Sequence, residues 1–148
     1  HNPLPWPRAE EIPGPPCYCG KRGCIETFLS GPGLAVDYRS TAGGASDPER
    51  IAAAAESGDP LAVAALNRYE DRMARSLASV INILDPDVIV LGGGLSNLTR
   101  LYRSVPALIP RYLFSDGASI RLRRPAHGDS SGVRGAAWLW EAGSSTGP

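Results

Sequence analysis

Lysine is almost missing from this chain: apart from Lys21, every basic side chain is an arginine, a bias that reflects genome composition more than function. Neither sign of charge is in excess, with 15 Lys and Arg against 15 Asp and Glu and no cluster of either. That removes the electrostatic reason to expect nucleic acid or a membrane surface as partner. Long apolar runs are also missing. The longest, "DVIVLGGGL", is far too short to span a bilayer, and no charged-then-apolar signal segment opens the chain. Cysteine occurs three times, always between positions 17 and 24. An odd, clustered set excludes a fully paired disulfide framework and fits a reducing compartment, so a cytoplasmic location is expected. Histidine occurs only at positions 1 and 127, and there is no internal repeat. The chain opens on His1 in place of Met, and reads as a piece of a longer protein.

What is present suits one soluble domain: 148 residues, 43% hydrophobic and 20% charged, enough to bury a core. Residues 1–16, "HNPLPWPRAEEIPGPP", carry six prolines and predict an extended, irregular arm. A helix is expected after Cys24, interrupted at "SGPG" and resumed over Leu34–Tyr38. Asp47 and Pro48 form an N-cap and first-turn pair, and Gly58 is a stop signal. Asp59–Pro60 repeats the start signal for a long amphipathic helix ending before Pro86. Its expected core stripe is Ala62, Leu66, Tyr69, Met73, Leu77, Val80 and Leu84.

"DVIVLGGG" reads as a fully buried strand ending in turn glycines. Residues Asn97–Leu113 read as helix, broken or kinked near Pro106 and Pro110. "ASIRLRRP" alternates Ile120 and Leu122 as a second strand. A last helix would place Val133, Ala136, Ala137 and Trp140 on one face, with Gly132 and Gly135 allowing close packing, and "GSSTGP" is a frayed tail. Asp85 and Asp87 suit helix-end and turn roles better than catalysis. Helices before and between strands predict an α/β fold. Two strands alone make a marginal sheet, which again suggests that a partner portion is missing.

The cysteine spacing Cys17-x-Cys19-x4-Cys24, with Gly20 and Gly23 inside the loop, can fold three sulfurs around one point. Three thiolates need a fourth donor to close a tetrahedral site, and zinc is the natural metal for Cys₃His. His1 can fold back along the stiff arm at modest loop-closure cost, whereas His127, beside the last strand, has no local reason to approach. The rival readings are three incidental thiols or a redox pair, and CxC is an unusual redox spacing. The purpose of the metal stays open at this level. For Glu26, residue types alone favour a solvated carboxylate in a helix first turn. Gly92, Gly93 and Gly94 follow a strand and precede a helix, where backbone can approach a ligand. "GGGLSN" lacks the third glycine of a dinucleotide fingerprint and the chain has no GK[ST] phosphate loop.

"HNPLPWP…CYCGKRGCIETFLSGPG", "LDPDVIVLGGGLSN" and "HGDSSGVRGAAWLW" together resemble, in order and spacing, the ROK family (repressor, open reading frame, kinase). The likeness runs over nearly the whole chain. It is greatest to the fructokinase (manno/fructokinase) branch, with N-acetylglucosamine kinase next. The resemblance implies the C-terminal part of an actin/hexokinase-like (ribonuclease H-like) sugar kinase with a zinc knuckle. It divides the chain into an arm and knuckle over 1–26, a helical and α/β nucleotide-side portion over 27–142, and a disordered tail over 143–148.

By resemblance, His1, Cys17, Cys19 and Cys24 bind structural zinc, while His1 and Glu26 contact the sugar. Gly92, Gly93 and Gly94 meet the adenosine part of ATP, delivered with Mg²⁺, and Pro32 borders the nucleotide. The implied reaction is transfer of the ATP γ-phosphate to a hexose, fructose first, by a homodimer when intact. The catalytic Asp and the DxGGT-like phosphate loop belong to the family's N-terminal half, so no catalytic residue is assigned here and the chain alone is expected to be inactive. The alternatives are the sugar-sensing domain of a ROK transcriptional repressor, and a non-catalytic zinc-stabilised interaction module. No nucleic acid is expected on this segment itself.

Overall fold

The computed structural model describes residues 1–44, 46–115 and 121–139. Six helices and two strands follow the arm among these residues: α1 (Ile25–Leu29), α2 (Gly31–Ala42), α3 (Pro48–Glu56), α4 (Pro60–Leu84), β1 (Val88–Val90), α5 (Leu101–Leu108), β2 (Arg121–Arg123) and α6 (Ser131–Ala137). The α/β expectation holds. β1 and β2 pair in parallel, with Ile89 opposite Leu122.

The helix starts follow local chemistry. Asp47 accepts from the Arg50 N–H at 2.8 Å, and Asp59 accepts from the Leu61 and Ala62 N–H groups at 2.8 and 2.9 Å. In both helices proline fills the first helical position, where no intrahelical N–H is needed. Ser30 interrupts the first helical segment as foreseen. Its hydroxyl accepts from the Gly33 N–H and starts α2 at Gly31, three residues earlier than expected. Asp85, in a left-handed conformation at φ 43°, closes α4 before Pro86.

α4 is the central strut. α2, α3 and α5 pack against it, and Leu34, Ile51, Leu66, Tyr69, Leu101, Val105 and Ile109 form the core around it. From Tyr69 to Ser76 nearly every position is buried, including Glu70, Arg72 and Arg75. The expected stripe holds from Ala62 to Leu77, which packs half-buried against the core, and then fails. Val80 and Leu84 are exposed, while Ala74, Ala78 and Ile81 are buried in their place. The reason is tertiary: α5 and the turn at Ile109–Tyr112 lie against α4 and choose which face is covered.

Three further expectations are corrected. β1 is not fully buried. Ile89 packs toward the core while Val88 and Val90 are exposed, because strand side chains alternate and the described residues cover one face. The 97–113 stretch, expected as helix broken or kinked near Pro106 and Pro110, does break at Pro110, but the helix starts later than expected and continues through Pro106. It is a turn at Gly94–Asn97, then α5 running through Pro106, then a tight turn at Ile109–Tyr112 as Pro110 arrives. Among the described residues α6 has none buried: Val133, Ala136 and Ala137 are exposed, and no described atom lies within 4 Å of a Cβ built on Gly132 or Gly135. Close helix packing there is therefore not found among the described residues. Ile120, Trp140 and the 143–148 tail lie outside the described residues.

Candidate metal and substrate site

The proline-rich arm folds back along the cysteine loop. Leu4 donates its N–H to Gly23 O and Ile25 donates to Asn2 O, both at 2.9 Å, so Pro3 bridges antiparallel to Cys24. That register carries His1 to the loop. Within the loop Cys17 N–H bonds Lys21 O at 2.8 Å and Gly20 N–H bonds Cys17 O at 3.0 Å. Gly20 and Gly23 adopt φ of 84° and 68°, the left-handed region that the chain reversal requires.

One donor atom each from His1, Cys17, Cys19 and Cys24 lies within 4.8 Å of every other. Cys19 and Cys24 Sγ are 3.7 Å apart, and Cys17 Sγ is 3.4 Å from His1 Nδ1. The edges of a tetrahedral S₃N site, from metal–ligand bonds of 2.0–2.3 Å, are about 3.8 Å for S···S and about 3.6 Å for S···N. The residues fit such a metal. His127 stands apart against Trp138, their ring centroids 6.2 Å apart, and takes no part. Burial pushes the Cys24 thiol up to about 11, while a hydrogen bond from the Lys21 backbone lowers Cys19. A cation in the centre would supply the charge that keeps the buried sulfur a thiolate.

Glu26, in the first turn of α1, places Oε2 4.0 Å from His1 Nδ1. The ring of Tyr18 stands edge-on to His1 at 4.8 Å, and its hydroxyl pKa is raised chiefly by the Glu26 carboxylate. Tyr18 and Glu26, with Cys17, Ser30, Pro32 and Val36, line a cavity of 460 Å³ beside the knuckle. A carboxylate and an exposed aromatic ring on one concave surface, with the His1 imidazole 4.0 Å from that carboxylate, suit a polyhydroxylated ligand, with hydrogen bonds at the polar groups and apolar contact at the ring.

A second cavity, of 210 Å³, lies between the α1–α2 junction and the glycine turn. Gly92, Gly93 and Gly94 face Leu29, Ser30, Gly31, Tyr69 and Met73 across it. Among the described residues no atom lies within 4 Å of a Cβ built on any of the three glycines, which leaves room for a ligand to approach their backbone. Pro32 sits on the knuckle cavity; Gly31 and Ser30 of the same "SGPG" border the glycine cavity. Ser30 lines both, so one short junction separates the two spaces.

Sequence reasoning passed over Tyr18 and Ser30, although a tyrosine between two metal-spaced cysteines and a serine before Gly-Pro-Gly were visible signals. Glu11, Arg72 and Arg75 had no local signal at all, and are buried at 6%, 5% and 2% exposure.

A parallel strand pair packed on helices, with a glycine-lined cavity, a polar cavity and a gathered Cys₃His donor set, defines an α/β protein with a candidate metal and ligand site. The ROK family profile matches residues 1–143, and this chain belongs to that family. It is 40% identical over 129 residues to an N-acetyl-D-glucosamine kinase of Yersinia pseudotuberculosis, covering 87% of this chain and 42% of that protein. Among solved structures it resembles a ROK family glucokinase from Streptomyces griseus in complex with glucose and AMPPNP. The TM-score is 0.78 and the identity 25%, covering 88% of this chain and 48% of that one. It also resembles a ROK family transcriptional regulator, a homolog of the E. coli MLC protein, with TM-score 0.62 and 27% identity, covering 76% and 32%. The fold is thus the actin/hexokinase-like fold of ROK proteins. The chain spans less than half the length of each of these relatives. None of the three is named a fructokinase, so the branch that the residue pattern favours has no support among them. No described helix is long and apolar enough to cross a membrane.

Proposed function

We propose that this chain is the C-terminal portion of an ATP-dependent hexose kinase, with structural zinc held by His1, Cys17, Cys19 and Cys24. The observation that carries the reading is the 4.0 Å approach of His1, one of four gathered metal donors, to Glu26 on the lining of the adjacent cavity. Zinc would fix the imidazole through Nδ1 and hold the loop rigid, supplying no chemistry to the transfer itself. Glu26 would accept a hydrogen bond from a sugar hydroxyl, and Tyr18 would cover an apolar face of the ring. The open backbone of Gly92–Gly94 would meet the adenosine of Mg-ATP, one residue junction away from the sugar.

Phosphoryl transfer depends on positioning and charge stabilisation, and a carboxylate base must take the sugar's proton. No residue of this chain is assigned that role; the base and phosphate loop are expected on the remainder of the protein. N-acetylglucosamine and glucose rank ahead of fructose, because the relatives are named for those sugars. Likeness to a ROK regulator keeps a sugar-sensing role as the second reading. Assaying the intact protein with ATP and a panel of N-acetylglucosamine, glucose, mannose and fructose tests the proposal. Turnover of one hexose is expected. Saturable sugar binding with no phosphorylation of any of them would favour the sensor.

A further inference from the structure

The arm that carries His1 has an anchoring problem. Its six prolines donate no backbone hydrogen bonds, so only isolated bridges, at Pro3 to Cys24 and Pro16 to Arg22, tie its backbone to the loop. Two arginines one turn apart on α4 supply the missing donors. Arg75 Nη1 donates to Trp6 O at 2.6 Å, to Pro5 O at 3.2 Å and to Glu11 Oε2 at 3.0 Å, while its Nη2 reaches Glu11 Oε1 at 2.8 Å. Arg72 Nε donates to Glu11 Oε1 at 2.7 Å and Nη1 to Asp37 Oδ1 of α2 at 2.7 Å. Its guanidinium lies 4.9 Å over the ring of Phe28, two residues beyond Glu26 on α1. The two side chains thereby grip the arm, α1 and α2, the three segments that border the knuckle cavity.

Stability alone is a weak explanation for this cluster. Burying three charges costs desolvation, and well-packed apolar side chains are often as stable. What a planar guanidinium adds is direction: two arms of a rigid fork on fixed acceptors. Pro5 and Trp6 directly follow the Leu4 N–H to Gly23 O bond, so holding them also holds the register that delivers His1 beside Cys24.

We infer that Arg72 and Arg75, acting through Glu11, are positioning residues that set His1 and α1 for metal and sugar binding. This rests on the reading of the knuckle as a zinc and sugar site. The test uses the full-length protein in three forms: wild type, Arg75→Lys, and the apolar triple Glu11→Leu, Arg72→Met and Arg75→Met, which leaves no buried charge of the cluster behind while Asp37 keeps Arg68 and Asp71 keeps Arg8. Melting temperature, zinc transfer to a chromogenic chelator, and sugar KM against kcat are followed together.

The apolar triple is expected to keep most of the melting temperature, yet to release zinc about 10-fold faster, the lower end of what a disturbed supporting shell costs a metal site. Sugar KM should rise while kcat stays within about twofold, the pattern of lost ground-state binding. Arg75→Lys keeps the charge but lacks the fork, and should shift zinc release and KM in the same direction. Wild-type zinc release and KM in both variants would overturn the inference while leaving the site reading intact. A wild-type protein that holds no zinc would overturn both.

Discussion

Gly33 on α2 lies so close to Thr27 on α1 that a Cβ at position 33 would sit 2.6 Å from the Thr27 carbonyl oxygen. That obstacle is backbone, so it cannot rotate away. The close approach presses the helix bearing Glu26 against the helix that starts at Ser30, and both cavities border this junction. Gly33→Ala should therefore destabilise the protein by about 1–3 kcal/mol, the usual range for overpacking a filled site. Chemical denaturation would show it. Gly44→Ala, where open space surrounds the position, serves as the control.

Glu11 ties stability to acid. Burial alone would raise its pKa, but hydrogen bonds from Arg75, Arg72 and the Arg8 backbone outweigh that and bring it to about 2, from an ordinary 4.5. A depressed carboxylate contributes stability that is complete above its unfolded pKa and lost as pH falls through the folded one. The loss should run from about pH 4.5 down to about pH 2 and amount to on the order of 3 kcal/mol. Urea midpoints at pH 7, 4.5 and 3 should fall in the wild type. The fall should be shallower in Glu11→Gln, which starts lower but has no proton to gain.

The knuckle should bind one equivalent of zinc. Cys17→Ser or Cys24→Ser is expected to lose it, and a strong chelator should lower the melting temperature of the wild type while leaving the metal-free variants unmoved. Elemental analysis with paired thermal melts reads this directly. A fold of full strength with no bound metal would refute the site.

Glu26 is half exposed at the start of α1, so its carboxylate carries little of the fold. Glu26→Gln should keep zinc and shift stability by no more than about 0.5 kcal/mol. It should lower kcat/KM for the sugar about 10- to 100-fold, the value of a charge-assisted hydrogen bond of about 1.5–3 kcal/mol. Steady-state kinetics on the intact protein, alongside zinc content, separates these effects.

The 148 residues alone should show no sugar-dependent ATP hydrolysis or phosphorylation, because no base is assigned among them. A coupled ADP-release assay with each hexose checks this. Robust turnover would mean that the catalytic groups lie within this chain after all.

Local signals in the sequence determined a good deal. Asp47–Pro48 and Asp59–Pro60 start helices because a carboxylate and a missing N–H satisfy the first turn whatever packs above them. Cys17, Cys19, Cys24 and His1 converge because the loop glycines and the returning arm bring them within reach, and the structure places all four donors together. Even the choice of His1 over His127 could be argued from chain geometry alone.

Burial was decided elsewhere. Val80 and Leu84 fit the apolar stripe of α4 as well as Tyr69 does, but α5 and its following turn cover Ala78 and Ile81 instead. Val88 and Val90 look like core strand residues and are exposed, since a strand cannot specify whether a neighbour covers its second face. Glu11, Arg72 and Arg75 look like solvated charges at any sequence window. Only the meeting of an arm with a helix 64 residues away makes Glu11 and Arg75 a buried pair. Short-range spacing sets caps, turns and metal donors because their partners are a few bonds away. Which faces are covered, and which charges are paired, depends on contacts that no local pattern contains.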